Sequence, residues 1–177
     1  IFLVSTPEEL ASFNYFVNTS LSGQNLTMQL QNDIDLAGYK WAPMGWDNED
    51  EVSSTGYGWG GSGKYSYDVE PGIDLPFTCT VDGNGYTIQN MVIECNSNNV
   101  GFIGWETRCG VCDITFENAS IKGNSHVGII TGQAIGGNYE NCHVSGEVNG
   151  SKAGSMLGYS ATYKVFDCTA DVTVNGE

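Results

Sequence analysis

Apolar residues in the second half of the chain recur in short groups that are separated by glycine and asparagine. The groups VGFIG, VGIITG and AGSMLG begin at positions 100, 127 and 153. A second series, ITFENASIKG, NCHVSGEVNG and DCTADVTVNG, begins at positions 114, 141 and 167, with the same offsets of 27 and then 26 residues. A fixed period in this range is typical of units that stack on copies of themselves. Because each unit holds two or three short strand patterns, the period predicts an all-β parallel β-helix, a solenoid.

The pattern of the first 45 residues predicts a strand and a helix ahead of the coils. Residues 1–5, with the sequence IFLVS, are predicted to form a short strand. The sequence TPEE at positions 6–9 then supplies an N-cap, a proline at the first helical position and acids in the first turn. Apolar residues follow at positions 10, 13, 16 and 17, which predicts a helix over residues 7–17. We expect this helix to be the only one in the chain.

The pattern predicts one β-helix domain over residues 1–177, in three parts. Residues 1–45 form the N-terminal strand and cap, and residues 77–177 form the coils. Between them, residues 46–76 are an irregular insertion that is rich in acids, glycines and aromatic residues. Irregular segments of this length are usually functional or disordered. The insertion is therefore the part in which we expect anything specific to this protein.

The units VGFIG, VGIITG and AGSMLG are similar to the GLUG motif of bacterial and archaeal surface proteins. The PEEL helix, the segment NDIDLAGYKWAPMG and the segment TVDGNGYTIQNMVI resemble what commonly precedes GLUG repeats. The resemblance implies a right-handed parallel β-helix with an N-terminal cap, in a secreted or cell-surface protein. It implies no catalytic residue, because the family is defined by scaffold motifs. The family usually has a short connection where this chain has residues 46–76.

The charge of the chain excludes several classes of partner. It has 21 acidic against 6 basic residues, a formal net charge of −15. Such a surface repels phosphate backbones and anionic lipid headgroups, so we expect no nucleic-acid partner. No apolar run is long enough to span a bilayer, so we expect no membrane insertion. The chain begins at Ile1 rather than at methionine, as after removal of a signal peptide or after trimming, and we predict a secreted or cell-surface location.

Six cysteines give several candidate disulfides in what we interpret as an extracellular protein. Cys142 and Cys168 occupy equivalent places in successive repeats, which puts them within disulfide range or makes them a reduced ladder. We favour the ladder, since stacked parallel side chains often point alike. Cys109 and Cys112 form a C-x-x-C, for which we predict a local disulfide that closes a turn. Another candidate pair flanks the DGNG segment: Cys79 and Cys95.

Two kinds of surface chemistry are suggested by short motifs. N-x-[ST] sequons are glycosylation candidates in a host that has the machinery. They lie at Asn18, Asn25, Asn118 and Asn149. Acids in the insertion could supply oxygen ligands to Ca²⁺. These acids are Asp47, Glu49, Asp50 and Glu51. We favour a solvated acidic loop over a calcium site, and we expect no cofactor.

The sequence nominates no catalytic group. With 21 acids some pair of carboxylates is inevitable, and nothing singles one out for glycoside hydrolysis. His126 and His143 have no serine or cysteine partner at a recognisable nucleophile motif. A polysaccharide lyase typically has a basic residue beside a Ca²⁺ cluster. Arg108 is the only arginine in this chain. We therefore expect a protein that is not an enzyme.

The candidate contact surfaces lie in the insertion and at the N-terminus. Aromatic side chains in the insertion could stack on sugars, bind a partner or fold back as a lid over the coils. They are Trp46, Tyr57, Trp59, Tyr65 and Tyr67. A neighbouring subunit could supply the first strand in head-to-tail assembly. That strand contains Ile1, Phe2, Leu3 and Val4.

These observations predict a non-enzymatic extracellular cell-surface module for adhesion or structural assembly. Its partners would be further copies of itself, which build a filament by head-to-tail strand addition, or other surface proteins and glycans. The alternative is a carbohydrate-binding or carbohydrate-active domain that uses the loop at residues 46–76.

Overall fold

A computed structural model describes residues 1–19, 25–46, 74–161 and 163–176. These residues form a parallel β-solenoid of about five coils, with one short helix near the N-terminus. The fold class that the repeat predicts is therefore confirmed.

The elements follow the chain in a simple order. They are β1 (Phe2–Val4), α1 (Pro7–Thr19), β2 (Thr27–Leu30), β3 (Ile34–Asp35), β4 (Thr80–Asp82), β5 (Thr87–Gln89), β6 (Val92–Glu94), β7 (Ile103–Thr107), β8 (Gly110–Lys122), β9 (Thr131–Ile135), β10 (Asn138–Gly150), β11 (Leu157–Ala161), β12 (Lys164–Phe166) and β13 (Thr169–Gly176).

Each strand pairs in parallel with its equivalent one coil away. The larger sheet follows the path β1-β2-β4-β8-β10-β12, and a second sheet follows β11-β9-β7. Val100, Val127 and Ala153, which open the three repeated groups, are linked by parallel bridges. Between β8 and β10 the register shifts by one residue at a bulge beside Gly146. The offsets of 27 and 26 residues thus measure the length of one coil.

The core is a set of apolar columns that run through the coils. Val81, Val111 and Tyr139 lie in register in three successive coils, and all three are buried. Burying a large apolar side chain contributes roughly 1.5–3 kcal/mol. The columns therefore make the stacking of coils the main source of stability in the fold.

The repeated glycines lie where neighbouring coils approach most closely. A Cβ atom added to Gly128 would lie 2.6 Å from the carbonyl oxygen of Met156 and 2.7 Å from that of Thr131. A Cβ atom added to Gly104 would lie 2.5 Å from the carbonyl oxygen of Gly45. Glycine is required here because the neighbouring atoms belong to backbone, which cannot move aside cheaply.

Asparagine and aspartate turn the chain at the corners of the coils. Asn84, Asp113, Asn141 and Asp167 all have φ between 50° and 53°. These residues tolerate the left-handed region better than other side chains do. The amide of Asn141 also donates to Asp113 Oδ1 at 2.8 Å, which links one coil to the next.

Helix α1 covers the core beside β1. Thr6 Oγ1 accepts the Glu9 N–H at 3.2 Å, and the Glu9 carboxylate accepts the Ser5 N–H at 2.6 Å, which is close to a capping box. The Phe13 ring packs against Phe2 with centroids 5.2 Å apart. The helix begins at the predicted residue, Pro7, and ends two residues later than predicted.

Most of the insertion lies outside the described residues. Trp46 and Leu75 form an antiparallel bridge on either side of it. The candidate calcium ligands Asp47, Glu49, Asp50 and Glu51 lie between them, outside the described residues. The same holds for the candidate contact residues Tyr57, Trp59, Tyr65 and Tyr67.

Candidate functional site

A buried carboxyl group lies where one coil passes into the next. Glu106 on β7 has no exposed surface. Its Oε2 accepts the Cys109 N–H at 2.9 Å, and its Oε1 lies 3.3 Å from the hydroxyl of Tyr139. That hydroxyl also lies 3.0 Å from Thr131 Oγ1. Burial raises the pKa of Glu106, and the hydrogen bonds from Cys109, Tyr139 and the backbone of the next coil oppose this effect.

The surroundings of Glu106 give it a positioning role. Its carboxyl group receives hydrogen bonds from its own coil at Cys109 and from the next coil at Ile135 and Gly137. The neighbouring thiol of Cys109 is buried, and burial together with Glu106 raises its pKa well above the usual value. Thiols in such surroundings are inert. The group therefore joins two coils and offers no reactive atom to solvent.

Three side chains of the metal-ligating types meet on the outer face of β4 and β8. One ligand atom each from Asp82, Cys112 and Asp113 lies within 4.8 Å of the others. Gln29 Nε2 donates to Asp82 Oδ2 at 2.7 Å, and burial followed by the nearby acids raises the pKa of Cys112 to about 11. A thiolate and two carboxylates could hold a divalent cation. Both carboxylates already accept hydrogen bonds within the solenoid.

A groove of about 470 Å³ lies at a corner of the stack. It is lined by Asn25, Thr78, Thr107, Arg108 and Ile135. Arg108 has φ of 59°, and its backbone N–H donates to the carbonyl of Ile135 at 3.0 Å. The groove thus combines two hydroxyls, an amide and a guanidinium with one apolar side chain.

None of the six cysteines forms a disulfide in the structure. The register between β10 and both β12 and β13 places Cys142 beside Cys168. The register of β4 with β8 likewise places Cys79 beside Cys109, one coil apart. The sequence did not reveal this second pair, because the separation of Cys79 and Cys109 is longer than the offsets of 27 and 26 residues that the later repeats share.

Two of the predicted local disulfides do not fit this geometry. Cys109 directly precedes β8 and Cys112 lies within it, and three residues of extended chain span about 10 Å. Cys79 precedes β4 whereas Cys95 follows β6, at opposite ends of three consecutive strands. The correction follows from coil geometry: neighbours in the stack are about one period apart in sequence.

Trp46 does not lie on the surface as predicted for a contact residue. Its side chain is only 6% exposed. Its backbone N–H and carbonyl pair with Leu75 at 3.0 and 2.9 Å. Trp46 therefore packs at the base of the insertion. The prediction of an exposed contact residue was wrong here because, in the sequence, an aromatic residue at a loop boundary cannot be distinguished from one within the loop.

The four sequons differ in their surroundings. Asn18 is 3% exposed, and its side chain bonds to Asn14, Pro43 and Gly45. It is therefore a core polar residue rather than an accessible acceptor. Asn25 is exposed with φ of 67°, whereas the amides of Asn118 and Asn149 donate to neighbouring side chains.

The predicted assembly strand is part of the solenoid. Phe2–Val4 pairs in parallel with Thr27–Leu30, and Val4 is fully buried. Ile1 and Leu3 are exposed. Among the described residues, strand β1 is thus the end of the larger sheet: one of its edges pairs with β2, and no described strand pairs with the other.

The chain is similar to a halomucin. The halomucin of Haloquadratum walsbyi (strain DSM 16790 / HBSQ001) is 34% identical over 114 residues, which cover 63% of this chain. The chain spans 1% of the length of this curated relative. No family model matches the chain, and no solved structure matches it. The resemblance to the GLUG family therefore stays a prediction.

A search of the described residues for helices that are long and apolar enough to cross a bilayer finds none.

Sequence reasoning missed the buried group around Glu106. Glu106 lies in register with Ala134 and, one coil further, Ser160. The same column holds Phe77 in the coil before. An acid in a column whose other members are apolar or small is the signal that could have found it, but this column becomes visible only with the coil register.

Proposed function

We propose that this chain is a non-enzymatic structural module of an extracellular surface protein, in which coils extend by pairing strands at their ends. The observation that supports this proposal most is the path of the larger sheet. It ends at β1 on one side and at β12 on the other, and each of these strands has three residues. All pairings along this path are parallel. Strand β1 of a second copy can therefore add beside β12 as β12 adds beside β10.

Exposed apolar side chains at the β12 end support this contact. Val165 lies in register with the buried Tyr139, yet it is 39% exposed. Val174 lies in register with the buried Val148, yet it is 41% exposed. A further strand in the same register would cover side chains that the earlier coils keep buried.

The proposed contact pairs two open edges without releasing a strand. Release of Phe2–Val4 would expose Val4 and break its pairing with β2. Head-to-tail contact between different surfaces gives an open filament when the rotation from copy to copy does not close into a ring. Strands that add along the axis of the stack extend it in one direction, so copies would add into a filament. The role as an adhesive or structural surface module follows from such assembly.

The proposed assembly would take place outside the cell, and its strength would depend on the salt concentration. Similarity to a segment of a halomucin supports a surface location. The net charge of −15 makes neighbouring copies repel each other. At 1 M salt, screening limits the range of that repulsion to about 3 Å. We therefore expect assembly in molar salt and dispersal at low salt.

Charge placed on either sheet edge is expected to block the assembly. Leu3→Lys and Val165→Lys each put an ammonium group where the second copy would pair, so we expect the apparent dissociation constant to rise by about tenfold or more, which is about 1.4 kcal/mol. Sedimentation velocity in 2 M salt (roughly the screened regime) and negative-stain imaging measure this.

Ser120→Lys is the matched control, because Ser120 is exposed near the C-terminal end of β8, a strand that lies between β4 and β10 and away from both ends of the larger sheet. It should assemble as the unchanged chain does. A chain that remains monomeric in molar salt at all concentrations, or edge variants that assemble normally, would contradict the proposal.

A further inference from the structure

Cys142 and Cys168 form a stacked pair between the last two described coils. The residues on either side of them pair at a constant offset, Glu140 with Phe166 and His143 with Thr169. Neighbouring parallel strands are about 4.8 Å apart, which lies within the Cα separation of disulfides. The backbone N–H of Cys142 donates to Cys168 Sγ at 3.4 Å. The Cys168 sulfur thus lies between the two coils.

The two thiols point in the same direction along the stack. Cys142 Sγ lies 3.4 Å from the carbonyl oxygen of Val111, one coil before it. Cys168 Sγ lies 3.6 Å from the carbonyl oxygen of Tyr139, again one coil before it. Cys168 is therefore aimed at the coil of Cys142, whereas Cys142 is aimed away. A bond between the two sulfurs therefore requires Cys142 to leave this rotamer for another staggered one.

We propose that oxidation joins Cys142 and Cys168 in a disulfide that fastens the last described coil to the coil before it. With glutathione disulfide as oxidant, the Cys168 thiolate attacks one sulfur of the reagent and displaces a glutathione thiolate. Cys142 then loses its proton to water and attacks Cys168 Sγ, which displaces the second glutathione. The protein loses two hydrogens, and one glutathione disulfide becomes two thiols.

Exposure selects this pair over the other stacked pair. Cys168 is partly exposed, so a reagent reaches it from solvent. Cys79 and Cys109 are both buried, and burial raises the pKa of each thiol. Cys142 is buried as well, and burial raises its pKa, so the selection rests on Cys168: the pair of Cys79 and Cys109 offers no partly exposed thiol for the first attack. Cys112 is partly exposed, but its register neighbours are Asp82 and Glu140, so it has no stacked cysteine.

The bond would act on the least supported coil. Strands β12 and β13 pair with β10 on one side, and the residues of β12 are exposed along its whole length. The disulfide would close the segment between Cys142 and Cys168 into a loop and so restrict the unfolded chain. This raises the midpoint of thermal unfolding by about 6–10 °C. This inference does not depend on the proposed assembly, since it concerns a bond within one chain.

The test oxidises the folded chain with glutathione disulfide, alkylates the remaining thiols and maps the peptides by mass spectrometry. We expect one linked pair, Cys142 with Cys168, with Cys79 and Cys109 recovered as alkylated thiols after unfolding. Thermal unfolding should shift upward in the oxidised chain and return on reduction. Cys168→Ser should abolish both the link and the shift.

Cys95→Ser is the matched control, since Cys95 is partly exposed and has Gly123 rather than a cysteine beside it in the next coil. It should leave the linked pair and the shift unchanged. Recovery of Cys168 only as its glutathione adduct, or its linkage to any other cysteine, would overturn the proposal.

Discussion

Alanine at Gly132 is expected to lower the free energy of unfolding by about 3 kcal/mol or more, because the added Cβ atom meets backbone on three sides. That atom would lie against the nitrogen of Val100, 2.6 Å from the carbonyl carbon of Asn99 and 2.8 Å from the carbonyl oxygen of Gly104. None of these atoms can rotate away. The coils would have to separate locally, and stacking is what holds the fold together.

Urea unfolding followed by circular dichroism measures the effect of this substitution. Small domains have a total stability of about 5–15 kcal/mol, so the loss is large. Gly110→Ala is the matched control, since the nearest atoms to its Cβ would be side-chain atoms of Thr80 at 3.6 and 3.8 Å. We expect that control to stay within about 0.5 kcal/mol of the unchanged chain. If the two substitutions lowered the free energy of unfolding equally, the close approach of the coils would not be what excludes a Cβ atom at position 132.

Removal of the Glu106 carboxyl group is expected to have an effect of similar size. In Glu106→Ala the Cys109 N–H and the Tyr139 hydroxyl lose a buried acceptor, and a cavity remains. An unsatisfied buried donor costs about 1–3 kcal/mol, so we expect a total loss of about 3–5 kcal/mol. Urea unfolding measures it. Glu117→Ala, at an exposed position that bonds to Gln89, should cost less than about 1 kcal/mol.

The pH dependence of stability gives a second test of the same group. Because burial raises the pKa of Glu106 above its ordinary value of 4.5, the folded chain binds more protons than the unfolded chain between the two values. The contribution of Glu106 to stability is therefore greatest below pH 4.5 and declines as the pH rises through the folded-state pKa. Glu106→Gln removes this dependence.

We therefore expect the unchanged chain to lose stability relative to Glu106→Gln between acid and neutral pH. Parallel urea titrations of the two proteins measure that difference. A gain relative to the variant as the pH rises would mean that the hydrogen bonds from Cys109 and Tyr139 outweigh burial and hold the carboxylate ionised.

Several particulars follow from the sequence because they depend on local chemistry or on a period. The N-cap at Thr6 and the proline at position 7 define where α1 begins. The repeated glycines and the left-handed asparagines mark close approaches and corners. The stacking of Cys142 beside Cys168 follows from their equivalent places in two repeats.

Other particulars required the coil register. Cys79 lies beside Cys109 in the coils that follow the insertion, and the sequence suggested Cys95 instead. Trp46 is buried at the base of the insertion, and Asn18 holds the connection at Pro43 and Gly45 together. In each case the partner lies in another coil or segment at a distance along the chain that the period does not supply.

The sequence by itself determined the parallel solenoid, its coil length and its N-terminal helix. It did so because repeated apolar positions can be buried only if equivalent residues stack. The tertiary structure alone decided which polar groups become buried between coils, as Glu106 does, and which of the described strands stand at the two ends of the larger sheet, as β1 and β12 do. Burial and edge exposure depend on what the neighbouring coil presents, and that is a property of the register rather than of any local stretch of sequence.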